Sequence, residues 1–230
     1  MKSIVPRFEI TPLDSLDAYT ASPKLAATIY AFDVPLNPHN PWTTSAGDGI
    51  NGVRVVWHFQ QTDAAGNSPG AIIKRWHNDE WLACNPNHPL SICKEAFACH
   101  DRLIDSIDKL SGRPHFGAGC LITNTRKASV LCALGHQMIG WRKNPQVTTW
   151  VFHESAAADA ALYDDERLFA RLPDANISYA KAAIVGHENM VKVIKQIQFA
   201  RVEHRGRVAL IGRDMQKRQI DALEKILFRK

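Results

Sequence analysis

The sequence predicts an α/β fold, a three-layer domain with a mostly parallel sheet of about four βα units. Four short apolar runs in the second half of the chain support this prediction: 119–122, 149–152, 182–185 and 208–211. The runs recur at intervals of roughly 25 to 35 residues, which is the size of a βα unit. Their hydrophobicity is continuous rather than alternating, as is typical of strands buried on both faces of a parallel sheet.

A polar break and then a segment with helical spacing follow each of the four runs. These segments are 127–141, 156–172, 190–202 and 215–228. Helices that alternate with strands in this way cover the two faces of a parallel sheet. Residues 115–230 are therefore predicted to form the α/β domain, and residues 1–114 an N-terminal part that packs on it.

The predicted N-terminal part begins with an irregular segment, since prolines interrupt every helical pattern in residues 1–50. These prolines are Pro6, Pro12, Pro23, Pro35, Pro38 and Pro41. Because the segment is also rich in aliphatic and aromatic residues, it is predicted to wrap the surface of the domain. A β-hairpin of strands 53–59 and 71–76 follows, and then a helix that Ser91 caps and Gly112 and Pro114 end.

Composition and charge narrow the class of protein. Of the 230 residues, 45% are hydrophobic and 22% are charged, as in ordinary globular domains. No apolar run approaches the length of a membrane span, and the N-terminus lacks the apolar stretch of a signal peptide. Five cysteines in a chain of this length do not indicate a disulfide framework. These features predict a cytoplasmic protein that does not interact with a membrane.

Several common enzyme signatures are absent from the sequence. No predicted strand is followed by Gly-x-Gly-x-x-Gly or by Gly-x-x-x-x-Gly-Lys-Ser/Thr, which argues against dinucleotide and P-loop nucleotide binding. Gly-x-Ser-x-Gly is also absent, which argues against an α/β-hydrolase nucleophile. Recognition of phosphate by other means remains open.

Two His-Glu pairs follow predicted strands at equivalent positions. They are His153-Glu154 and His187-Glu188. In an open α/β sheet, ligands bind beyond the carboxyl ends of the strands, so the two pairs are expected to share one rim. Imidazole and carboxylate groups can transfer protons or hold a divalent metal, which stays open as a cofactor. The four side chains are therefore candidate catalytic residues, although surface polarity also explains part of the pattern.

Asn124 and Arg213 also follow predicted strands and are candidate substrate-binding residues. A guanidinium near a helix N-terminus can hold a phosphate or a carboxylate. Asn124 lies in the polar segment Thr123-Asn124-Thr125-Arg126. Polar residues at such junctions often cap helices, and capping alone explains several of them.

The C-terminal region, residues 187–230, carries the positive charge of the chain. It contains 11 lysines and arginines against 5 aspartates and glutamates, a net of +6, whereas the whole chain carries +5. The candidate nucleic-acid-binding residues in this region are Arg201, Arg205, Arg207, Lys217 and Arg218. Arginine presents a planar fork of donors that suits phosphate, which indicates nucleic acid or another polyanion as partner. A solvated basic face is the alternative interpretation.

The segment 84–100 holds three cysteines and two histidines. Thiolate and imidazole groups suit zinc, but Cys84, Cys93 and Cys99 do not have the spacing of a zinc site. Buried free thiols are the preferred interpretation. His100, on the apolar stripe of its helix, is predicted to be a hydrogen-bonded core histidine, and Cys132 is predicted to belong to the core.

Two functions are consistent with these patterns. The first is an enzyme that acts on a phosphate-bearing substrate, a nucleotide or a nucleic acid, by acid–base or metal chemistry at the rim of the sheet. The second is a non-enzymatic protein that binds nucleic acid, or assembles with partners, through its basic C-terminal region. The His-Glu pairs favour the enzyme, and the absence of known catalytic signatures favours the binding protein. The sequence leaves the oligomeric state undetermined.

Overall fold

The computed structural model describes residues 18–37, 42–46, 53–60, 68–110 and 118–204. Within these ranges the chain forms eight α-helices and two three-stranded sheets, a mixed α/β architecture. All paired strands are antiparallel. The prediction of a mostly parallel four-stranded sheet is therefore wrong.

The elements follow one another in this order along the chain. The helices are α1 (Pro23–Ala31), α2 (Pro69–Trp76), α3 (Asp79–Cys84), α4 (Pro89–Ile107), α5 (Thr125–Ala133), α6 (Ala157–Asp164), α7 (Leu168–Arg171) and α8 (Asn176–His204). The strands are β1 (Ala18–Thr20), β2 (Trp42–Ala46), β3 (Val53–Phe59), β4 (Cys120–Ile122), β5 (Met138–Lys143) and β6 (Thr148–Phe152). One turn of 3-10 helix, Glu154–Ala156, precedes α6.

The first sheet has the order β1-β3-β2, with β3 in its centre. The predicted strand 53–59 is confirmed as β3, and its Trp57 and Phe59 are fully buried. The predicted partner strand 71–76 is wrong, because these residues lie in helix α2. Ser68 caps that helix by accepting a hydrogen bond from the backbone N–H of Ala71 (3.3 Å), and Pro69 occupies a first-turn position that favours proline.

The second sheet has the order β4-β6-β5. It confirms two of the predicted apolar strands, since 119–122 and 149–152 correspond closely to β4 and β6. The partner strand of β6, β5, overlaps the end of the predicted helix 127–141. That helix ends at Ala133 because Gly135 adopts a positive φ of 88°, a left-handed conformation that ends many helices, and the chain then turns back as β5.

The third predicted strand, 182–185, lies in the middle of the long helix α8. Ile177, Ala180, Ile184 and Met190 of this helix are buried, and their spacing is helical rather than that of a strand. The run 182–185 resembles a strand in the sequence because four consecutive positions of the helix carry small or aliphatic residues. The fourth run, 208–211, and the predicted helix 215–228 lie outside the described residues.

Helix α1 forms within the segment that was predicted to be irregular. Ser22 accepts a hydrogen bond from the backbone N–H of Leu25 (3.3 Å), and Pro23 occupies the first turn. A proline in this position loses no intrahelical hydrogen bond and fixes a helical φ. Pro23 therefore begins a helix, and the prediction of an irregular segment is wrong for residues 23–31.

The main hydrophobic core joins α1, α4 and α8 to the first sheet. The predicted helix near 91–112 is confirmed as α4, although His88 rather than Ser91 provides its N-terminal cap. A smaller core lies between α5 and the second sheet, around Leu131, Trp150 and Phe152. The predicted domain boundary at residue 114 falls in 111–117, outside the described residues.

Two glycines give a matched test of the backbone geometry. A Cβ atom at Gly119 would lie 2.6 Å from the backbone oxygen of Phe152, whereas one at Gly70 would meet nothing within 4 Å. We expect Gly119→Ala to lower the free energy of unfolding by roughly 1–3 kcal/mol through overpacking against β6. Gly70→Ala, in the first turn of α2, should raise it by about 0.5 kcal/mol because alanine restricts the unfolded chain.

Urea denaturation followed by circular dichroism measures both glycine variants. Equal stability changes in the two variants, or a neutral Gly119→Ala, would contradict the close approach of residue 119 to β6.

Candidate functional site

Six charged or imidazole side chains come together where α1, α4, α5 and α8 meet. They are Lys24 of α1, His100 and Asp101 of α4, Arg126 of α5, and His187 and Glu188 of α8. We call this group the interhelical polar cluster. All six side chains can bind or transfer protons or hold anions, so the cluster is the candidate functional site.

Phe97 of α4 organises one side of the cluster. Its buried ring meets the His187 imidazole edge to face, with ring centroids 5.3 Å apart, and the Lys24 ammonium lies 5.7 Å from its centroid. Phe97, His100 and Asp101 are three and four residues apart, which places them on one face of α4. The helical period therefore presents an aromatic ring, an imidazole and a carboxylate to the same neighbours.

Two ion pairs cross between helices within the cluster. Lys24 pairs with Asp101, and Arg126 pairs with Glu188. The four side chains keep between 29% and 54% of their surface exposed. Exposed pairs of this kind contribute about 0–1 kcal/mol, so an anionic ligand can displace either carboxylate from its cation at low cost.

The two imidazoles of the cluster are held in their neutral forms. Burial lowers the pKa of His187 to about 4, with Lys24 and His100 adding to the effect against Asp101 and Glu188. Burial also lowers the pKa of His100; Asp101 and Glu188 oppose this shift, and Arg126 and Lys24 add to it. At neutral pH both rings can therefore accept a proton or a hydrogen bond.

Tyr163 of α6 borders the cluster on the side of the Arg126–Glu188 pair. Burial raises its pKa to about 12, and both members of the pair are close enough to influence it. The Lys181 ammonium lies 4.9 Å from its ring centroid and donates a hydrogen bond to its backbone oxygen. The phenol therefore stays protonated beside the cluster at all physiological pH values.

The two predicted His-Glu pairs lie in different environments in the structure. His187 and Glu188 belong to the cluster, on α8 rather than after a strand. His153 is exposed and caps the short 3-10 turn, since its Nδ1 accepts a hydrogen bond from the backbone N–H of Ser155 (3.3 Å). Glu154 is exposed in that turn. The groups that shift the pKa of His187 come from α1, α4 and α8.

Asn124 has a structural role that positions the cluster. Its side-chain oxygen accepts hydrogen bonds from the backbone N–H groups of Arg126 (3.0 Å) and Lys127 (3.3 Å). This cap satisfies two of the free donors at the start of α5 and fixes the turn that carries Arg126. Asn124 therefore acts on the site through Arg126.

The side chains of the other predicted anion-binding residues lie outside the described part of the structure. Arg201 lies on α8, and its side chain is outside the described part of the structure. Arg205, Arg207, Arg213, Lys217 and Arg218 all follow His204, where the described residues end.

Sequence reasoning missed four members of the cluster. Lys24 lies in the segment predicted to be irregular, and His100 was assigned to the core. Asp101 and Arg126 carried no motif. The available signal was the spacing of Phe97, His100 and Asp101 on one face of a predicted helix. Nothing local indicated that α1 and α8 would cover that face.

The described residues offer neither a metal site nor a membrane span. Among them, no group of three His, Cys, Asp or Glu side chains is placed to hold a metal ion. No helix in the described ranges is long and apolar enough to cross a membrane.

The chain matches none of the protein-family models, curated proteins or solved structures with which it was compared.

The lowered pKa of His187 predicts a pH-dependent stability. Its pKa is about 4 in the folded chain and 6.5 as the ordinary value, so the unfolded chain binds a proton first as the pH falls. Stability from this group is complete above pH 6.5 and is lost between pH 6.5 and 4. We expect His187→Gln to lose less stability than the parent protein over this interval.

Urea midpoints at several pH values between 7.5 and 4 measure this effect. His77→Gln, at an exposed position, is the matched control and should follow the parent protein. Identical pH profiles for His187→Gln and the parent protein would show that the His187 imidazole is not held neutral.

Proposed function

We propose that the protein is an enzyme that acts on a phosphate-bearing substrate, a nucleotide or a nucleic acid, by acid–base chemistry at the interhelical polar cluster. The observation that carries this proposal is the neutral His187 imidazole within a cluster that also contains the Arg126–Glu188 ion pair. A proton acceptor and an anion-binding fork are the two groups that such chemistry needs.

The cations of the cluster supply the proposed phosphate contacts. Arg126 of α5 presents a planar donor fork that can bind two phosphate oxygens, and Lys24 of α1 adds a second positive charge. Both cations are paired with partly exposed carboxylates. A phosphate would take the place of Glu188 on Arg126, which keeps the guanidinium paired throughout.

The same exchange would prepare the imidazoles for proton transfer. A negative charge beside an imidazole favours its protonated form and so raises its pKa. A bound phosphate would move the pKa of His187 upward from about 4, toward the neutral range in which general bases work best. Glu188, released from Arg126, would remain next to His187 to stabilise its positive charge.

The enzyme proposal predicts a different kinetic defect in each of two variants. His187→Gln should reduce kcat by a factor of about 10²–10⁴, the usual contribution of a general acid or base. Arg126→Lys should mainly raise KM, since lysine keeps the charge but cannot bind two phosphate oxygens. The assays use p-nitrophenyl phosphate, bis(p-nitrophenyl) phosphate, ATP and single-stranded DNA as substrates.

His77→Gln and Arg142→Lys are the control variants, because both residues are exposed and lie outside the cluster. Both should retain full activity, and circular dichroism should show that all four variants are folded. A parent protein inactive on every substrate, or a fully active His187→Gln, would refute the proposal.

A second candidate function is binding of nucleic acid through the basic C-terminal region. Helix α8 is 29 residues long, and its second half begins that region with exposed Lys192 and Lys195. The two lysines are one helical turn apart, so their charges extend along one side of the helix. This arrangement suits contacts to successive phosphates without any catalytic residue.

The binding proposal predicts a strong dependence on salt. Affinity for a fluorescent single-stranded oligonucleotide should fall steeply with salt concentration, because bound counterions are released. Replacing both Lys192 and Lys195 by Gln should reduce the slope of the logarithmic salt plot by about 1.4, at about 0.7 per lost phosphate contact.

Lys74→Gln, at an exposed position on α2, is the control for the change in net charge. Binding that is independent of salt, or absent at low ionic strength, would refute the proposal.

We also propose a cytoplasmic location. The five cysteines are all free thiols in the structure, which suits a reducing compartment.

A further inference from the structure

Two cysteines on neighbouring helices lie close to each other. The side chains of Cys99 of α4 and Cys132 of α5 are near enough to shift each other's pKa. Cys99 donates a hydrogen bond to the Glu95 carboxylate (3.3 Å) and accepts one from the Arg102 guanidinium (3.1 Å). We call Cys99 and Cys132 the thiol pair.

The helical period explains why these groups meet. Glu95, Cys99 and Arg102 are four and three residues apart, so they share one face of α4, and Glu95 and Arg102 form an ion pair (2.6 Å). Helix α5 packs against α4 and brings Cys132 to that face. The thiol pair therefore has a carboxylate and a guanidinium beside it, which are the groups that move protons and stabilise thiolates.

The two thiols differ in their access to solvent. Cys99 is only 5% exposed, whereas Cys132 is partly exposed at the edge of the smaller core. The Arg102 side chain beside them is 64% exposed, so a small oxidant can approach from its side. The access therefore favours Cys132 as the thiol that reacts first and Cys99 as the thiol that follows.

The electrostatics of the pair agree with this order. The adjacent Cys99 thiol lowers the pKa of Cys132, and the positive charge of Arg102 lowers it further, whereas burial and the Glu95 carboxylate act in the opposite direction. The pKa of Cys99 is raised by the adjacent Cys132, by burial and by Glu95. Cys132 is thus the more readily ionised thiol of the pair, and a thiolate is the nucleophile toward oxidants.

We propose that Cys99 and Cys132 form a reversible disulfide on reaction with hydrogen peroxide, which links α4 to α5. In the first step the Cys132 thiolate attacks peroxide: a sulfur–oxygen bond forms, the oxygen–oxygen bond breaks, and hydroxide leaves and takes a proton. In the second step the sulfur of Cys99 attacks the Cys132 sulfenic acid. The sulfur–sulfur bond forms, the sulfur–oxygen bond breaks, and water leaves.

The protons and electrons of this reaction balance. Glu95 takes the proton from the Cys99 thiol, to which it is hydrogen-bonded, and releases it to the departing oxygen. The two thiols lose two electrons, and one peroxide gains them to become two molecules of water. A dithiol reductant reverses the change by thiol–disulfide exchange.

The other three cysteines serve as internal comparisons. Cys93 is fully buried, and burial raises its pKa, so it should not react. Cys84 is exposed, and no other cysteine lies on its helix α3. Cys120 is partly exposed at the start of β4. Selective oxidation of the thiol pair is thus distinguishable from general oxidation of the chain.

The test treats the full-length protein with a small molar excess of hydrogen peroxide. Thiol titration should show that free thiols fall from five to three per chain, from the five cysteines of the sequence. Mass spectrometry should show the loss of two hydrogen atoms and a cross-linked peptide that contains Cys99 and Cys132. Dithiothreitol should restore all five thiols.

Variants assign the roles within the pair. Cys99→Ser should leave a Cys132 sulfenic acid that dimedone traps, and Cys132→Ser should prevent the cross-link. Arg102→Gln should slow the reaction, since it removes the charge that stabilises the thiolate. Cys84→Ser should react like the parent protein, and circular dichroism should show that each variant is folded.

The parent protein alone can overturn the proposal, so the result does not depend on the folding of a variant. Three outcomes would do so: both thiols remain reduced while Cys84 is oxidised, the cross-link joins other cysteines, or Cys132 is over-oxidised without a cross-link.

Discussion

The packing of α8 against α1 and α4 is the contact on which the rest of the structure depends. Buried Ile184 and Met190 fix the register of α8, and Gly186 places its backbone against Ala27 of α1. His187 and Glu188 lie between these anchors, so their positions follow from the hydrophobic register rather than from polar contacts. The main core and the interhelical polar cluster are therefore two sides of one packing arrangement.

This arrangement also explains the electrostatics of the cluster. Partial burial favours the neutral form of an imidazole, whereas a guanidinium keeps its charge in any environment and a carboxylate keeps its charge when it is paired with a cation near water. The structure contains both situations side by side: a neutral His187 at the edge of the core, and Arg126 with Glu188 nearer the solvent. Acid–base chemistry needs such a contrast between neighbouring groups, and here the depth of each residue on its helix produces it.

The sequence correctly predicted those helices and strands whose hydrophobic patterns and caps lie within a few residues of one another. Strand β3, helix α4 and strands β4 and β6 were found because their patterns and caps lie within a few residues. The prediction of a parallel sheet failed because the direction of a strand depends on the strands with which it pairs. Strand β6 pairs with β4 and with β5, and β5 overlaps a segment that was predicted to be helical but leaves the helix at Gly135. The same limit applies to the site. His187 and Glu188 were selected as candidates, but Lys24 and Arg126 reach them only through tertiary packing.

Helix α4 connects the two chemical features of the molecule. Cys99 contacts Cys132 of α5, whereas His100, the next residue, belongs to the cluster and is influenced by Glu188 of α8. Adjacent residues on a helix point about 100° apart, so α4 presents the thiol pair and the cluster to different neighbours. Because α5 carries both Cys132 and Arg126, any change in the spacing of α4 and α5 acts on both features. A disulfide between Cys99 and Cys132 would therefore fix the spacing of α4 and α5, which carry His100 and Arg126. It would restrict any movement of these two helices that accompanies ligand binding at the cluster.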